Sequence, residues 1–400
     1  MLSNGWYRII SLAALQGAIS LTWLIYNIYL PKLLISYGFS PSLAISLIVV
    51  ENAIAFVLEP LFGSLSDRTY RWIATKFGFV SFGVILSSAI SILIPTVIVF
   101  HDLFRAIEWI LPGILIAWAM AMTVFRSPAI SLIGRYAFAS ELPIAMSFLT
   151  LVGGCVGAIV PISQDFILSF GAPFAFSIAS ISLLAGAVIL RYFEPPIVVK
   201  PQLEQREPIV PIKVALLIGT GFGVAWGSRC LLATIPKVLK LHVPQVVPVT
   251  TMVIISLAIA ISALPSGVFA NKYGNRKVML VGILATLISL LTIVFLPTTW
   301  TIAIAILLII LCFSSIANGS IPFAIELFPA DRMGLAVGLY FAGFSAGMSS
   351  FTSMFNPVTT LTPVLGAIFG SIGFILAGIC IWTSFKFDLR FSKQEGEAIR

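Results

Sequence analysis

The sequence predicts an all-α integral membrane protein in which twelve transmembrane helices form two parallel six-helix repeats. Three observations carry this. The 400 residues are 59% hydrophobic and only 10% charged, against roughly 45–50% apolar and about 25% charged in soluble domains. Twelve stretches approach the ~20 mainly apolar residues that a helix needs to cross a bilayer. Finally, a short charged element, Gly63-Ser64-Leu65-Ser66-Asp67-Arg68-Thr69-Tyr70-Arg71, recurs 204 positions later as Gly267-Val268-Phe269-Ala270-Asn271-Lys272-Tyr273-Gly274-Asn275-Arg276-Lys277. Recurrence at a fixed offset marks an internal duplication.

In the first half the spans fall at 8–30, 41–63, 76–100, 108–133, 143–166 and 173–192. Those of the second half fall at 213–236, 246–268, 278–296, 301–326, 334–355 and 363–386. The first run lacks the basic lead and small-residue cleavage site of a signal peptide, so it reads as a retained helix. It closes on Leu30-Pro31-Lys32-Leu33-Leu34, and the seventh closes on Ile235-Pro236-Lys237-Val238-Leu239, 205 positions on. Helices 2 and 8 run into the two copies of the charged element, which reads as a compact turn. The longest polar, proline-rich stretch, Tyr192 to Pro211, separates six helices from six. The domains are therefore read as an N-terminal bundle over 1–192, a linker over 193–212, a C-terminal bundle over 213–386 and a tail over 387–400. Helices 1 and 7 start on the same side, which makes the halves parallel repeats about an axis along the membrane normal.

Orientation follows from Lys and Arg, which are retained on the cytoplasmic side. Of the 23 such residues, the predicted outer loops hold only Lys32, Arg105, Lys237 and Lys240, and Arg126 and Arg229 lie within helices. The rest share the side of the N-terminus, so both termini are expected in the cytoplasm, with the cell (inner) membrane as the location. The net charge of +8 is spread along the chain rather than gathered in one patch, which argues against nucleic acid. Cys155, Cys230, Cys312 and Cys380 sit in apolar runs without metal or redox spacing. His101 and His242 lie in outer loops away from any ligand cluster, and no nucleophile motif or phosphate loop appears. Nothing points to an enzyme, a metal or a cofactor.

Twelve helices in two halves, with Gly63, Asp67, Arg68 and Arg71 after helix 2 and a degenerate copy at Gly267, Asn271, Lys272 and Arg276 after helix 8, resemble the major facilitator superfamily. The usual glycine of the first copy is Tyr70 and its last basic residue is Trp72. Phe125-Arg126-Ser127-Pro128-Ala129 and Leu58-Glu59-Pro60 are similar to the sugar:cation symporter branch, the glycoside-pentoside-hexuronide and sucrose-type carriers. Gly153-Gly154-x-x-Gly157 with Pro161 is similar to the export-type glycine motif only in part and does not assign an antiporter. The resemblance implies a monomeric secondary transporter with a small-molecule substrate, its cavity lined by helices 1, 4, 7 and 10. It also implies a cytoplasmic gate in which the element after helix 2 docks at the start of helix 11. Asp67 would then face the helix starting at Gly334, whose N-terminus favours an anion, while Arg68 and Arg71 would bridge to Glu326 or Asp331, near Arg332.

An ionisable residue inside a spanning helix costs ~2.5–3.5 kcal/mol or more and is a functional hypothesis by default. Counting from the cytoplasmic landmarks at ~1.5 Å per residue matches Glu59 with Arg126 in depth, and Glu51 with Arg229 at roughly 24 Å. The expectation is an ion pair Glu59–Arg126 within the first half and a pair Glu51–Arg229 across the halves. A carboxylate as deep as Glu51 is costly when charged and alone, which makes it the candidate proton carrier. That all four charges serve assembly alone remains open. Along helix 1, Gln16, Ser20, Trp23 and Asn27 form one helical stripe. Trp118, Met122 and Arg126 do so on helix 4, and Trp226 and Arg229 share a face on helix 7. Helix 10 offers Asn318 beside a break expected near Gly319 to Pro322. These are the candidate cavity residues, although in-helix polar groups also serve helix contacts.

The function expected is secondary transport of a small polar solute, sugar-like or an organic anion, by alternating access with H⁺ symport. Two alternatives stay open: an exporter of amphipathic compounds, and a non-transporting receptor or assembly factor on the same fold.

Overall fold

The computed structural model describes residues 4–73, 77–100, 109–194, 209–356 and 358–398. Among them there are helices and no strand. The first half contains α1 (Asn4–Ser36), α2 (Pro41–Ile73), α3 (Phe77–Val99), α4 (Ile110–Ser131, continued by Ile133–Tyr136), α5 in two pieces (Leu142–Ala158 and Val160–Ser169) and α6 (Ala172–Phe193). The second contains α7 (Pro211–His242), α8 in two pieces (Pro248–Ile261 and Ala263–Tyr273), α9 (Asn275–Phe295), α10 (Thr299–Leu327), α11 (Met333–Met354) and α12 (Pro363–Ala398). Among the described residues eleven spans are long and apolar enough to cross a membrane, and twelve when the two pieces of α5, bent by 64°, count as one. The chain is an integral, multi-pass membrane protein.

Four places differ from the sequence expectation. Pro31 and Pro236 close nothing: α1 runs on to Ser36 and α7 to His242 with these prolines inside. A proline frees one carbonyl, which neighbouring helices, side chains or water can satisfy. The charged element at Gly63 is not a turn either, since α2 stays helical through it to Ile73; a lone glycine costs a helix only about 1 kcal/mol. In the second copy Gly274 takes a φ of 92° and ends α8, so that α9 begins at once. Tyr70, at the corresponding place, lacks that freedom and α2 continues. The break expected in α10 is also missing, because Pro322 lies inside an unbroken helix and the carbonyl of Gly319 accepts from Asn275 Nδ2 at 2.9 Å.

Within the first half α1 packs on α5 and α6, and α3 on α4 and α6. In the second, α7 packs on α11 and α12, and α9 on α10 and α12. The halves meet along two seams, α2 against α11 and α5 against α8, with α10 also on α5. The α2–α11 seam is long: Gly63 meets Gly334 near one end, Gly338 sits against the Glu59 carbonyl, and Ser349 Oγ donates to the Val49 carbonyl at 3.2 Å farther along. At the end of α6, Arg8 Nε donates to the Phe193 carbonyl at 3.1 Å, and Glu194 takes the Tyr136 hydroxyl and lies 3.7 Å from Arg135. The segment leaving the first bundle is thereby anchored to α1 and α4. Most of the expected linker, 195–208, lies outside the described residues.

Candidate functional site

Between α1, α2, α4 and α11 lies a cavity of about 180 Å³, walled by Trp23 and Asn27 of α1, Ile48, Glu51, Asn52 and Ala55 of α2, Ala119, Thr123 and Arg126 of α4, and Phe344, Ser345 and Met348 of α11. Its chemistry comes from helix registers that stack polar groups at one depth. On α2, Glu51 faces the cavity with Asn52 beside it; on α4, Thr123 precedes Arg126 by one turn.

Glu51 is buried and accepts a hydrogen bond from the Tyr26 hydroxyl. Tyr26 is fixed in turn by the Trp118 ring, stacked at 4.1 Å, whose Nε1 donates to Ser91 Oγ at 2.8 Å. Trp23 packs edge-on against both rings, and its Nε1 has no hydrogen-bond partner among the described residues. No described cation pairs with Glu51.

Eight residues along α2, Glu59 is fully buried. Arg126 holds it through Nε at 2.6 Å and Nη2 at 2.5 Å, and Ser127 adds its hydroxyl. The guanidinium also lies 4.4 Å from the Phe341 ring centre on α11. Two donors on one carboxylate, with a third from Ser127, satisfy a buried charge that would otherwise be very costly.

The expected Glu51–Arg229 contact is absent. Arg229 is exposed in the middle of α7 and sits over the Phe351 ring at 5.5 Å, while Glu51 has turned to Tyr26. Equal depth did not mean equal azimuth: Glu51 faces the first bundle and Arg229 faces α11. The other candidate cavity residues divide. Trp23, Asn27 and Arg126 line the cavity. Trp118 and Met122 are wholly buried in the first bundle. Trp226 belongs to a second-half aromatic cluster with Phe351, Phe355 and Phe369, its Nε1 donating to the Phe369 carbonyl at 3.0 Å. Gln16 and Ser20 lie against Gly153 of α5. Asn318 is wholly buried; its Nδ2 donates to the Pro143 carbonyl at 3.0 Å and its Oδ1 accepts from Thr150 at 3.2 Å, so it clasps α10 to α5. Sequence reasoning missed Asn52, Thr123, Phe344, Ser345 and Met348. The first two are within a helical turn of the charges it did single out, whereas the α11 residues carry no such marker.

The Gly63 end of the molecule is closed. Asp67 receives the backbone N–H groups of Gly334 at 3.0 Å and Leu335 at 2.8 Å, satisfying two donors that the start of α11 leaves without intrahelical partners. The second seam closes in a related way, with Gly267 of α8 against Pro143 and Ile144 at the start of α5. Of the two basic residues, Arg68 does not make the bridge expected of it. Arg68 is exposed and contacts neither Glu326 nor Asp331, and the Arg71 side chain lies outside the described residues. Glu326 pairs with Arg276, at 3.7 Å, where α9 begins against α10. Arg276 also lies over Phe323 and Phe385, and Lys272 over Tyr273; Asn271 is exposed and Arg332 buried.

Two six-helix bundles joined along paired seams, with a cavity of mixed apolar and polar lining between helices of both, define a membrane carrier fold. Residues 217–397, the second bundle, match the sequence profile of the Major Facilitator Superfamily, and the fold of solved carriers extends over nearly all of the chain. A bacterial homologue of the iron transporter ferroportin, in an outward-facing state, superposes with a TM-score of 0.71 at 15% identity over 96% of this chain and 100% of that one. The proton:xylose symporter XylE gives 0.67 at 15% identity over 97% and 96%. The human organic anion transporter MFSD10 gives 0.65 at 11% identity over 96% and 100%. Three different cargoes on one fold leave the solute to be argued from the site. No curated protein matches the sequence.

Proposed function

We propose that the chain is a secondary transporter that carries a small polar solute by alternating access, coupled to proton symport. The observation that carries this reading is the placement of Glu51: a carboxylate at the cavity wall, held by a phenol rather than by a cation. A carboxylate without a counter-charge in the membrane is inexpensive when protonated and costly when charged. Its occupancy by a proton is therefore tied to which side the cavity faces. Glu59, by contrast, is neutralised by Arg126 and serves assembly.

The cavity is smaller than the ~300–1,000 Å³ of drug-sized sites, which suits a small solute. The closed Asp67–Gly334 seam represents one side of the alternating cycle. The six-plus-six division over 1–192 and 213–386, cytoplasmic termini, an inner-membrane location and a monomeric state complete the proposal, supported by the distribution of Lys and Arg and by the paired seams.

The test is uptake of labelled sugars and organic anions into proteoliposomes with and without a pH gradient. Concentrative uptake that collapses with a protonophore is expected, as is loss of gradient dependence in Glu51→Gln with solute exchange retained. Full pH-gradient dependence in that variant would remove the proton role from Glu51.

A further inference from the structure

Two guanidinium groups lie over rings of a single stripe of α11, one lining the cavity and the other one helical turn beyond its last α11 residue. Phe341, Phe344, Met348 and Phe351 recur at helical spacing and share one face. Phe344 and Met348 wall the cavity. Arg126 lies over Phe341 at the end toward Gly63, and Arg229 lies over Phe351 at the other. The two differ in one respect. Arg126 spends its charge on Glu59, whereas Arg229 meets only an aromatic ring: among the described residues no carboxylate lies within ion-pair distance, and its side chain remains exposed.

From this asymmetry we propose that the transported solute is a small organic anion and that Arg229 binds its negative group. The inference rests on the transport reading above and narrows it.

An arginine mid-helix without an anion is costly in a membrane, and stacking on one ring offsets only part of that cost. The guanidinium fork matches a carboxylate in two parallel hydrogen bonds. Phe351 is a positioning residue that holds the fork one turn along α11 from Met348 of the cavity wall. The remaining walls fit the rest of such a solute: Asn27 and Asn52 supply amides, Trp23, Phe344 and Met348 apolar surface, and the unpartnered Nε1 of Trp23 one further donor. A neutral sugar would leave Arg229 uncompensated. The charge count is also consistent with coupling. With Glu59 and Arg126 cancelling, a monoanion on Arg229 and a proton on Glu51 move together, so the cycle carries no net charge across the membrane.

The test uses matched probes on the full chain: lactate against 1,2-propanediol, and glucuronate against glucose. Binding is read as thermal stabilisation in detergent and transport as uptake into proteoliposomes. At least one carboxylate is expected to bind, with its neutral twin binding at least tenfold more weakly. Arg229→Met should weaken the carboxylate by roughly 30-fold or more. Arg229→Lys keeps the charge without the fork and should fall between; Phe351→Leu should weaken the same probe while leaving the Arg229 charge in place. Uptake of the anion should follow a pH gradient and ignore a membrane potential imposed alone. Equal binding of the neutral twin, unchanged binding in both Arg229 variants, or no stabilisation by either carboxylate would overturn the inference. The two readings fail separately. A carboxylate that binds through Arg229 but is never taken up contradicts transport alone, and a glucose uptake that Arg229→Met leaves intact contradicts the anion alone.

Discussion

Gly63 of α2 and Gly334 of α11 meet backbone to backbone: a Cβ on Gly63 would strike the Gly334 carbonyl, and one on Gly334 would come within 2.5 Å of the Gly63 carbonyl. Neither neighbour is the tip of a flexible side chain, so the contact cannot yield without moving a helix. Gly63→Val should therefore hold this end of the seam open. Spin labels on the ends of α2 and α11 should report a longer distance, and transport should fall, whereas Gly113→Val, where a Cβ meets nothing within 4 Å, should change neither.

Asp67 tests the same closure electrostatically. Its two oxygens take two backbone N–H groups at the start of α11, and bonds of this charged kind contribute about 1.5–3 kcal/mol each. Asp67→Asn keeps the size, loses the charge and retains one acceptor oxygen. The closed state should lose about 2 kcal/mol, roughly a 30-fold shift toward open. The same label pair should show a mixed population lying between the native protein and Gly63→Val.

How far the sequence could be read depended on which property each residue expressed. The helical spans and the two-bundle fold followed from apolar length and from the repeated glycine and charges, which the membrane itself enforces. Helix ends did not follow, because a proline such as Pro31 or a glycine such as Gly63 breaks a helix only when its neighbours fail to compensate. At the site, Glu51, Glu59, Arg126 and Arg229 were legible as costly charges, and the Glu59 and Arg126 depths matched. Depth along a helix carries no azimuth, so Glu51 and Arg229 shared a level without touching. Asn318 and Trp118 were placed on the cavity by residue type, yet both spend their polar groups on helix contacts, at Pro143 and Ser91. The α11 face of Phe341, Phe344, Met348 and Phe351 looks like any lipid-facing stripe until the partner bundle is set against it.

The Glu59–Arg126 pair should be coupled in stability. Removing one member leaves a charge in a site built for two, with a cost of about 3–5 kcal/mol. Arg126 is one-fifth exposed, which places its orphaning of Glu59 as the worse case and the converse as the milder. Arg126→Met should therefore lower the melting temperature in detergent more than Glu59→Gln does. The double variant should recover much of the loss, and additivity of the two single effects would show that the pair contributes no mutual stabilisation.

The last prediction separates holding a proton site from being one. Tyr26 is packed between Trp23 and Trp118 and gives its hydroxyl to Glu51. Tyr26→Phe leaves those ring contacts in place and removes a single donor, leaving Glu51 without its only described partner, a loss of about 1–3 kcal/mol. If Tyr26 positions Glu51, transport should slow by roughly tenfold, as about 1.4 kcal/mol in the rate-limiting step implies. Uptake should nonetheless still follow the pH gradient, because the carboxyl that takes the proton is intact. Glu51→Gln should give the opposite pattern, with exchange retained and gradient dependence gone. Should Tyr26→Phe also lose gradient dependence while exchanging solute normally, the phenol and the carboxyl would have to be treated as one proton-binding unit, and the assignment to Glu51 alone would fail.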